Sequence, residues 1–418
     1  MEIDKINENI LYDLFKAYYD ARKNKRNTIN QLNFEINLEK NIITLADKII
    51  KRQYTPNASI CFIVNKPVKR EVFAADFRDR VIHHYIFNNI NQIFDKLFIH
   101  DSYSCRKGKG THYGINRIDH FIRSCSQNYT MPCYILKLDI KGYFMSINKN
   151  ILFEKIMTAI EKNKDKIYND YDILIYLIKK TIFNDPTKNC IIKGKKSDWD
   201  DLPKSKSLFY AKKDCGLPIG NLTSQLFANI YLNDFDHYVK NNLGIKYYGR
   251  YVDDFILIHR DADYLKFLIP FIREYLSENL QLELHPNKIY FQSYEKGVKF
   301  LGAVIMPYRI YIANRTKANF YDAIKRQNIL LKHNPLTYKP KINFLNSMNS
   351  YLGIMQHYKT YKMRKNMLFR YLDTAWWQHF YLVNNAKKIK MSEPLIFAGF
   401  DTSMNALLSQ RNKRNDGG

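Results

Sequence analysis

Two adjacent aspartates interrupt an apolar run in the segment YYGRYVDDFILIH, residues 247–259. Such a run is typical of a buried strand, where an unpaired carboxylate is strongly disfavoured. A second apolar run, ILKLDIKGYF, carries another acidic residue, Asp139. We therefore expect the two strands to lie side by side, so that Asp139, Asp253 and Asp254 share divalent cations.

Carboxylate oxygens are ligands that Mg²⁺ prefers, and Mg²⁺ keeps positions open for water and phosphate groups. Two such ions, or Mn²⁺ in their place, can activate a hydroxyl group and stabilise a leaving pyrophosphate. The alternative is that Asp253 and Asp254 only close a hairpin turn, where Asp is common. The apolar flanks and the second acidic strand favour the cation site.

The composition points to a polyanionic partner. The 418 residues include 66 Lys and Arg against 40 Asp and Glu, a net charge of +26. Nucleic acid is the partner that this surplus favours, although a codon bias towards lysine contributes to it. The length predicts two or three packed units. The six cysteines lack zinc spacing, and neither a signal peptide nor a membrane span is recognisable, so we expect a cytoplasmic protein with reduced thiols and no membrane partner.

Three motifs follow one another along the chain: LDIKGYF, then GLPIGNLTSQLFANIYL, then YVDD. This order resembles the palm of a reverse transcriptase, and the resemblance spans about residues 60–305. It implies an α/β right-hand polymerase whose palm is an antiparallel sheet backed by helices. The expected divisions are a helical extension at 1–60, fingers and palm at 61–310, an α-helical thumb at 311–395 and a tail at 396–418.

The resemblance also implies roles for single residues. The metal ligands would be Asp139, Asp253, Asp254 and the backbone carbonyl of Ile140. Lys288, in LHPNKI, matches the lysine proposed to protonate pyrophosphate, although an isolated lysine is otherwise a surface residue. The dNTP would contact Arg70, a second cation at Lys66 or Lys69, the turn at Ile219 and Gly220, and Phe144.

Phe144 would exclude a ribose 2′-hydroxyl and so select dNTPs, and the alternative is ordinary core packing. A further set is predicted to bind template or primer. Two of its members, Arg78 and Arg80, could almost equally well belong to a solvent-exposed helix face that binds no nucleic acid. The set comprises Arg78, Arg80, Arg106, Gln225, Phe300, Leu301 and Gly302, the last three at the position of a primer-grip turn.

The turn before the middle helix departs from most of the family. Most reverse transcriptases have Q-G-x-x-x-S-P there, whereas this chain reads IGNLTSQ, with Ile219 for Gln and Gln225 for Pro. This pairing resembles the enzymes of diversity-generating retroelements, within the prokaryotic, group II intron-like superfamily. These copy a template-repeat RNA into cDNA with errors opposite adenine. Loss of one polar contact at Ile219 is worth roughly 1–2 kcal/mol, or about ten-fold in discrimination.

The resemblance implies dNTPs, template RNA, a cDNA/RNA duplex and a basic accessory variability protein that assembles as a ring. Helices beyond residue 313 that mix Lys and Arg with aromatic residues fit a nucleic-acid-binding thumb. Two other classes of protein remain open. One is a faithful reverse transcriptase of a retron, a group II intron or a phage-defence system. The other is a maturase-like RNA-binding protein without catalysis, against which the intact acidic triad argues.

Overall fold

A computed structural model describes residues 8–23, 28–65, 68–167, 170–333 and 337–392. The chain divides into two compact units, Met1–Leu301 and Gly302–Gly418. Lys66 and the tail at 396–418 lie outside the described residues. Every helix in the described ranges is too short or too polar to cross a membrane.

The first unit contains most of the secondary structure. Its helices are α1 (Glu8–Arg22), α2 (Ile29–Glu35), α3 (Leu38–Ile50), α4 (Phe77–Leu97), α5 (Thr111–Cys125), α6 (Tyr143–Ser146), α7 (Lys149–Glu161), α8 (Tyr171–Ile182), α9 (Leu222–Tyr231), α10 (Asn233–His237) and α11 (Ala262–Leu280). Its strands are β1 (Ile60–Val64), β2 (Arg70–Ala74), β3 (Tyr134–Asp139), β4 (Ile191–Ile192), β5 (Tyr247–Tyr251), β6 (Asp254–His259), β7 (Tyr290–Ser293) and β8 (Val298–Phe300).

The N-terminal helices are held to the core by one apolar face of α1. The face repeats at helical spacing through Ile10, Leu14 and Ala17, and α1 packs along α4. Tyr18 Oη and Arg22 Nε both donate to Glu35 Oε1, at 2.7 and 2.6 Å, which ties α1 to α2. The extension therefore belongs to the first unit.

A small sheet forms the predicted fingers, in the order β2-β1-β4, with β1 antiparallel to β2 and parallel to β4. Glu71 of β2 is buried and accepts three hydrogen bonds. The donors are Trp199 Nε1 at 2.7 Å, Ser207 Oγ at 2.9 Å and the Leu208 amide at 2.6 Å. The polar segment at 184–214, irregular in the sequence pattern, is thereby anchored on β2.

A four-stranded antiparallel sheet, in the order β5-β6-β3-β7, forms the predicted palm. Helix α5 packs against β5 and β6, and α11 packs against β6 and β3. The centre of β6, residues 255–258, is therefore completely buried, which explains its continuous apolar run. The predicted α/β class, with an antiparallel sheet backed by helices, is confirmed.

The second unit joins three helices to two hairpins. Its elements are β9 (Ala303–Met306), β10 (Arg309–Ile312), α12 (Asn314–His333), α13 (Tyr338–Met355), α14 (Tyr361–Tyr371), β11 (Phe380–Val383) and β12 (Lys388–Met391). Phe344 stacks on the buried Trp376 with ring centroids 4.0 Å apart. The sequence predicts an α-helical thumb at 311–395, but α14 ends at Tyr371. Asp373 caps a separate short turn through the Ala375 amide, and β11 then pairs with β12.

Candidate active site

The three aspartates meet at one end of the four-stranded sheet. Strands β3 and β6 pair in a register that sets Asp139 opposite Asp254. Asp254 also pairs with Tyr251, so Val252 and Asp253 form a two-residue hairpin turn. Val252 has φ +59°, a left-handed conformation that a β-branched residue rarely adopts. The surrounding structure must therefore hold this turn in place.

Two of the carboxylates are paired with lysines. Lys288 Nζ lies 2.9 Å from Asp139 Oδ1, and Lys137 Nζ lies 3.0 Å from Asp254 Oδ2. Lys137 precedes Asp139 by two residues on β3, so both side chains lie on the same face of the strand. The ring of Phe300 also contacts this lysine, with its centroid 6.0 Å from Nζ. Lys288 is thus paired with one of the predicted metal ligands.

The site holds more negative charge than these lysines neutralise. Burial, followed by the nearby charge of Asp139, raises the pKa of Asp253 to about 6. Burial also raises the pKa of Asp254 to about 6, although Lys137 opposes the shift. Asp254 Oδ1 is buried and has no hydrogen-bond partner among the residues that the structure describes. A cation is the ligand that such an oxygen lacks.

The backbone of Ile140 supports the same interpretation. Hydrogen bonds on either side of it, from Lys141 N to Glu283 O and from His285 N to Asp139 O, are both close to 2.9 Å. In such a pair the central carbonyl points away from the partner segment. In the described ranges no three His, Cys, Asp or Glu side chains already surround one ligand position. The unpaired oxygen and the raised pKa values nevertheless fit a divalent cation.

The basic residues predicted to bind the dNTP have different surroundings. Arg70, exposed at the start of β2, is close enough for its charge to oppose the raised pKa of Asp253, as does Lys288. Lys69 donates through Nζ to the carbonyl of Asp200. Of the two predicted dNTP cations that lie in the described part of the chain, Arg70 lies near the carboxylates, while Lys69 anchors the 184–214 segment.

Phe144 and Ile219 lie in one wall beside the fingers strand. Both half-buried side chains pack against the cluster formed by Cys61, Phe73, Met145 and Leu208. The Phe73 amide donates to the Ile219 carbonyl at 2.8 Å, and the Leu217 amide donates to the Phe144 carbonyl at 2.8 Å. Packing in this cluster does not exclude a role in dNTP selection, because both side chains remain partly exposed.

Gly220 closes this wall tightly. Its φ is +124°, and a Cβ there would lie 2.8 Å from Val72 Cγ1 and 3.0 Å from the Phe73 carbonyl oxygen. Both the conformation and the space therefore require glycine.

The predicted template contacts are largely engaged within the protein. Arg106 donates through Nε to Asp95 Oδ1 at 2.6 Å and through Nη1 to the Ile99 carbonyl at 2.7 Å. Arg78 holds Asp79 and the Thr55 carbonyl, while Arg80 Nε donates to the Ala75 carbonyl at 2.9 Å. These guanidinium groups support the fingers.

Two other predicted contacts lie at exposed or turning positions. Gln225 is exposed on α9, with Oε1 3.2 Å from Cys105 Sγ. Phe300 is buried, whereas Leu301 and Gly302 have φ +48° and +85° and form a tight turn. A turn of this kind allows the close backbone approach that a primer grip requires.

Sequence reasoning missed a buried ion pair beneath the acidic turn. Arg250 and Asp236 are both fully buried and form a bidentate pair at 2.7 and 2.6 Å. Tyr248 Oη donates to the same carboxylate at 2.6 Å, and Arg250 Nη1 donates to the Val252 carbonyl at 2.9 Å. An arginine inside the apolar run YYGRY was the available signal, because a buried guanidinium requires an acidic partner.

Comparison with known proteins identifies relatives along most of the chain. A family model described as reverse transcriptase (RNA-dependent DNA polymerase) matches residues 65–305. Protein YkfC of Escherichia coli (strain K12) is 22% identical over 352 residues, which cover 75% of this chain and 84% of that protein.

Solved telomerase structures also match. The telomerase of Candida albicans, in complex with a TWJ fragment of telomeric RNA, is 12% identical with a TM-score of 0.44 and covers 81% of this chain. The truncated apo telomerase of Candida tropicalis is 15% identical with a TM-score of 0.43 and covers 62%. This chain spans 59% and 56% of those two chains, respectively.

Loss of the Arg250 guanidinium, which pairs with Asp236, should destabilise the protein. Arg250→Met leaves the buried Asp236 charge without its cation, with only Tyr248 still donating to it, so we expect a loss of about 3–5 kcal/mol in the free energy of unfolding, measured by urea denaturation. Adding Asp236→Leu should recover much of that stability. The double variant should still bind Mg²⁺ more weakly than wild type, because the Val252 carbonyl has lost its donor. Wild-type Mg²⁺ affinity in the double variant would show that Arg250 has no positioning role.

The raised pKa values predict a pH-dependent response to cations. Because Asp253 and Asp254 hold protons up to about pH 6 in the folded state, their ionisation opposes folding as the pH rises from about 4 to 6. In EDTA, Asp254→Asn should therefore exceed wild type in stability at pH 7.5, by up to about 3 kcal/mol, and lose this advantage towards pH 4. Mg²⁺ should raise the wild-type melting temperature at pH 7.5 and not at pH 5. An equal Mg²⁺ response at both pH values would contradict the assignment.

Proposed function

The chain belongs to the reverse transcriptase family of RNA-dependent DNA polymerases, and on this premise we propose that it copies a template-repeat RNA into error-prone cDNA in a diversity-generating retroelement. The family model covers more than half of the chain and includes all three aspartates. The observation that carries the polymerase chemistry is the register of β3 and β6, which sets Asp139 opposite Asp254 beside the Asp253 turn.

Divalent cations would be held by Asp139, Asp253, Asp254 and the Ile140 carbonyl. When bound, Mg²⁺ or Mn²⁺ would supply the charge that lowers the pKa of the primer 3′-hydroxyl and neutralises the leaving pyrophosphate. The raised pKa values of Asp253 and Asp254 mean that the protein alone does not compensate these two carboxylates. This is the state that a site awaiting cations would show.

The cationic residues of the site have separate roles in this proposal. Arg70, exposed at the start of β2, would hold the incoming triphosphate through its planar fork. Lys288, whose Nζ lies 2.9 Å from Asp139 Oδ1, would donate a proton to the leaving pyrophosphate as the primer 3′-oxygen bonds to the α-phosphorus and the bond from that phosphorus to the bridging oxygen breaks. Its side chain is 48% exposed, so solvent can return a proton to it.

The sugar and base would lie against the wall of Phe144 and Ile219. The ring of Phe144 packs against the Cys61, Phe73, Met145 and Leu208 cluster and is partly exposed, so it is placed where it would exclude a 2′-hydroxyl. Ile219 presents an apolar, β-branched side chain where most of the family has an amide. A mismatched pair at any template base would therefore meet one polar contact fewer, which supports error-prone synthesis.

The proposed partners follow from the charge and from the family. Template RNA, the cDNA/RNA duplex and dNTPs are polyanions, and the chain has a net charge of +26. A basic accessory protein would meet this chain through shared RNA, since two basic surfaces repel each other directly. All six cysteines are unpaired, which fits the cytoplasm.

Catalysis should depend on the triad and on a divalent cation. On an RNA template with a DNA primer and Mg²⁺, Asp253→Asn should lower the rate of dNTP incorporation at least about a hundred-fold, because a cation ligand is lost. Asp263→Asn is a matched control, since that carboxylate is 91% exposed and lies outside the site. Full activity in Asp253→Asn, or equal losses in both variants, would refute the proposed chemistry.

The error spectrum should depend on Ile219. Ile219→Gln keeps the backbone bond to Phe73 and restores a polar contact, so errors opposite template adenine should fall several-fold, up to about ten-fold. Ile219→Leu is the apolar control and should keep the wild-type spectrum. Both are scored by sequencing cDNA made on a template with all four bases, with and without the accessory protein. An unchanged rate of errors opposite template adenine in Ile219→Gln would show that this residue does not affect fidelity. A uniformly low error rate in wild type would favour a faithful reverse transcriptase.

A further inference from the structure

An open groove of about 710 Å³ lies at the start of α14 in the second unit. It is lined by the end of α13, the first turn of α14 and the β11–β12 turn. None of the site residues predicted from the sequence lies in it. Its lining is basic and includes Lys359, Lys362, Arg364 and Lys387, without a carboxylate.

Arg364 forms the base of this groove and is only 2% exposed. Its Nη1 donates to Thr360 Oγ1 at 3.0 Å and its Nη2 to the Asn385 carbonyl at 3.2 Å. Both acceptors are neutral, and Nε is buried with no hydrogen-bond partner in the described part of the chain. Burial lowers the pKa of this guanidinium, with no carboxylate of the described residues opposing the shift. A buried cation without an anion is costly, so an anionic ligand is what this position lacks.

The N-terminus of α14 adds a second anion-binding feature. Thr360 does not cap the helix with its side chain, because its Oγ1 donates to the Met355 carbonyl at 2.6 Å. The first turn contains no acidic residue. Tyr361 and Lys362 begin the helix and line the groove, so first-turn amides without helical partners lie at its wall. The helix dipole favours an anion at this end.

The β11–β12 turn, which lines the groove together with the start of α14, has an unusual backbone conformation. Asn384, Asn385 and Ala386 have φ values of 52°, 55° and 58°, three consecutive residues in the left-handed region. This conformation brings the Asn385 carbonyl to Arg364 and sets Lys387 at the rim. Lys359 and Lys362 are also exposed at the rim.

We infer that this groove is a phosphate-binding site in which Arg364, the first-turn amides of α14 and the rim lysines hold a backbone phosphate of an RNA strand. Tyr361, 46% exposed beside the first turn, offers a ring on which a neighbouring base stacks. A run of three rim lysines suits a strand with several phosphates better than a single free anion. The choice of RNA rests on the proposed function, whereas the phosphate site rests on the groove alone.

The test is RNA binding by the full-length protein, measured by fluorescence anisotropy with a labelled 20-nucleotide RNA over a range of salt. The double variant Lys362→Gln/Lys387→Gln changes only exposed side chains and should fold normally. It should bind this RNA about ten-fold more weakly than wild type. The slope of log affinity against log salt concentration should be smaller in magnitude by about 1–2. Arg364→Gln should weaken binding at least as much, and Arg364→Lys should recover part of the loss.

The control is Arg370→Gln, an exposed residue at the other end of α14, which should bind like wild type. Unchanged affinity and salt slope in the double variant would overturn the inference. If the double variant lost affinity for single-stranded DNA but not for RNA, the choice of RNA would be overturned. Thermal stabilisation by millimolar inorganic phosphate alone, with no effect of the substitutions on RNA binding, would mark the groove as a free-anion site and also overturn it.

The outcomes separate this inference from the proposed function. If wild type makes no cDNA but the double variant still loses RNA affinity, the phosphate site stands and the polymerase proposal falls. If cDNA synthesis carries adenine errors while the double variant binds RNA normally, the polymerase proposal stands and the phosphate site falls.

Discussion

The pairing of β3 with β6 is the constraint on which the rest of this structure depends. It sets Asp139 opposite Asp254, and the two-residue turn that joins β5 to β6 places Asp253 at the same edge. A slip of one residue would turn these side chains to the other face of the sheet and expose the apolar set. Because the centre of β6 is fully buried under α5 and α11, the hydrophobic core that stabilises the sheet also fixes the register of the carboxylates.

The cost of this arrangement is electrostatic. Burial raises the pKa of Asp253 and Asp254 to about 6 and leaves one oxygen of Asp254 without a partner. Beneath them, the fully buried Arg250 holds both Asp236 and the carbonyl of the strained Val252 turn. A protein that only needed stability would gain from apolar residues at these positions. The fold instead keeps three carboxylates together at one edge of the sheet, which is the arrangement that the proposed divalent cations require.

The sequence allowed the outline of this site to be predicted, but not its supports. The apolar flanks of Asp139 and Asp254 predicted two neighbouring core strands, since such runs occur where both faces of a sheet are covered. The partner of Arg250 could not be predicted, because Asp236 lies on a separate helix and only tertiary packing brings the two together. Likewise, the periodicity of the last helices could not show that the chain changes to the β11–β12 hairpin, where short apolar runs fit either structure. The sequence predicts that Arg106 binds template or primer, yet in the fold Asp95 and backbone carbonyls engage it.

The most direct test of the account is the position of the cation itself. Crystals of the protein with an RNA template, a DNA primer, a non-hydrolysable dNTP and Mn²⁺ would locate the metal by anomalous diffraction. The account predicts anomalous peaks bounded by the carboxylates of Asp139, Asp253 and Asp254, with the oxygen of Asp254 that now has no partner among the ligands. Manganese bound elsewhere, with Lys137 and Lys288 still paired to the same carboxylates, would contradict it.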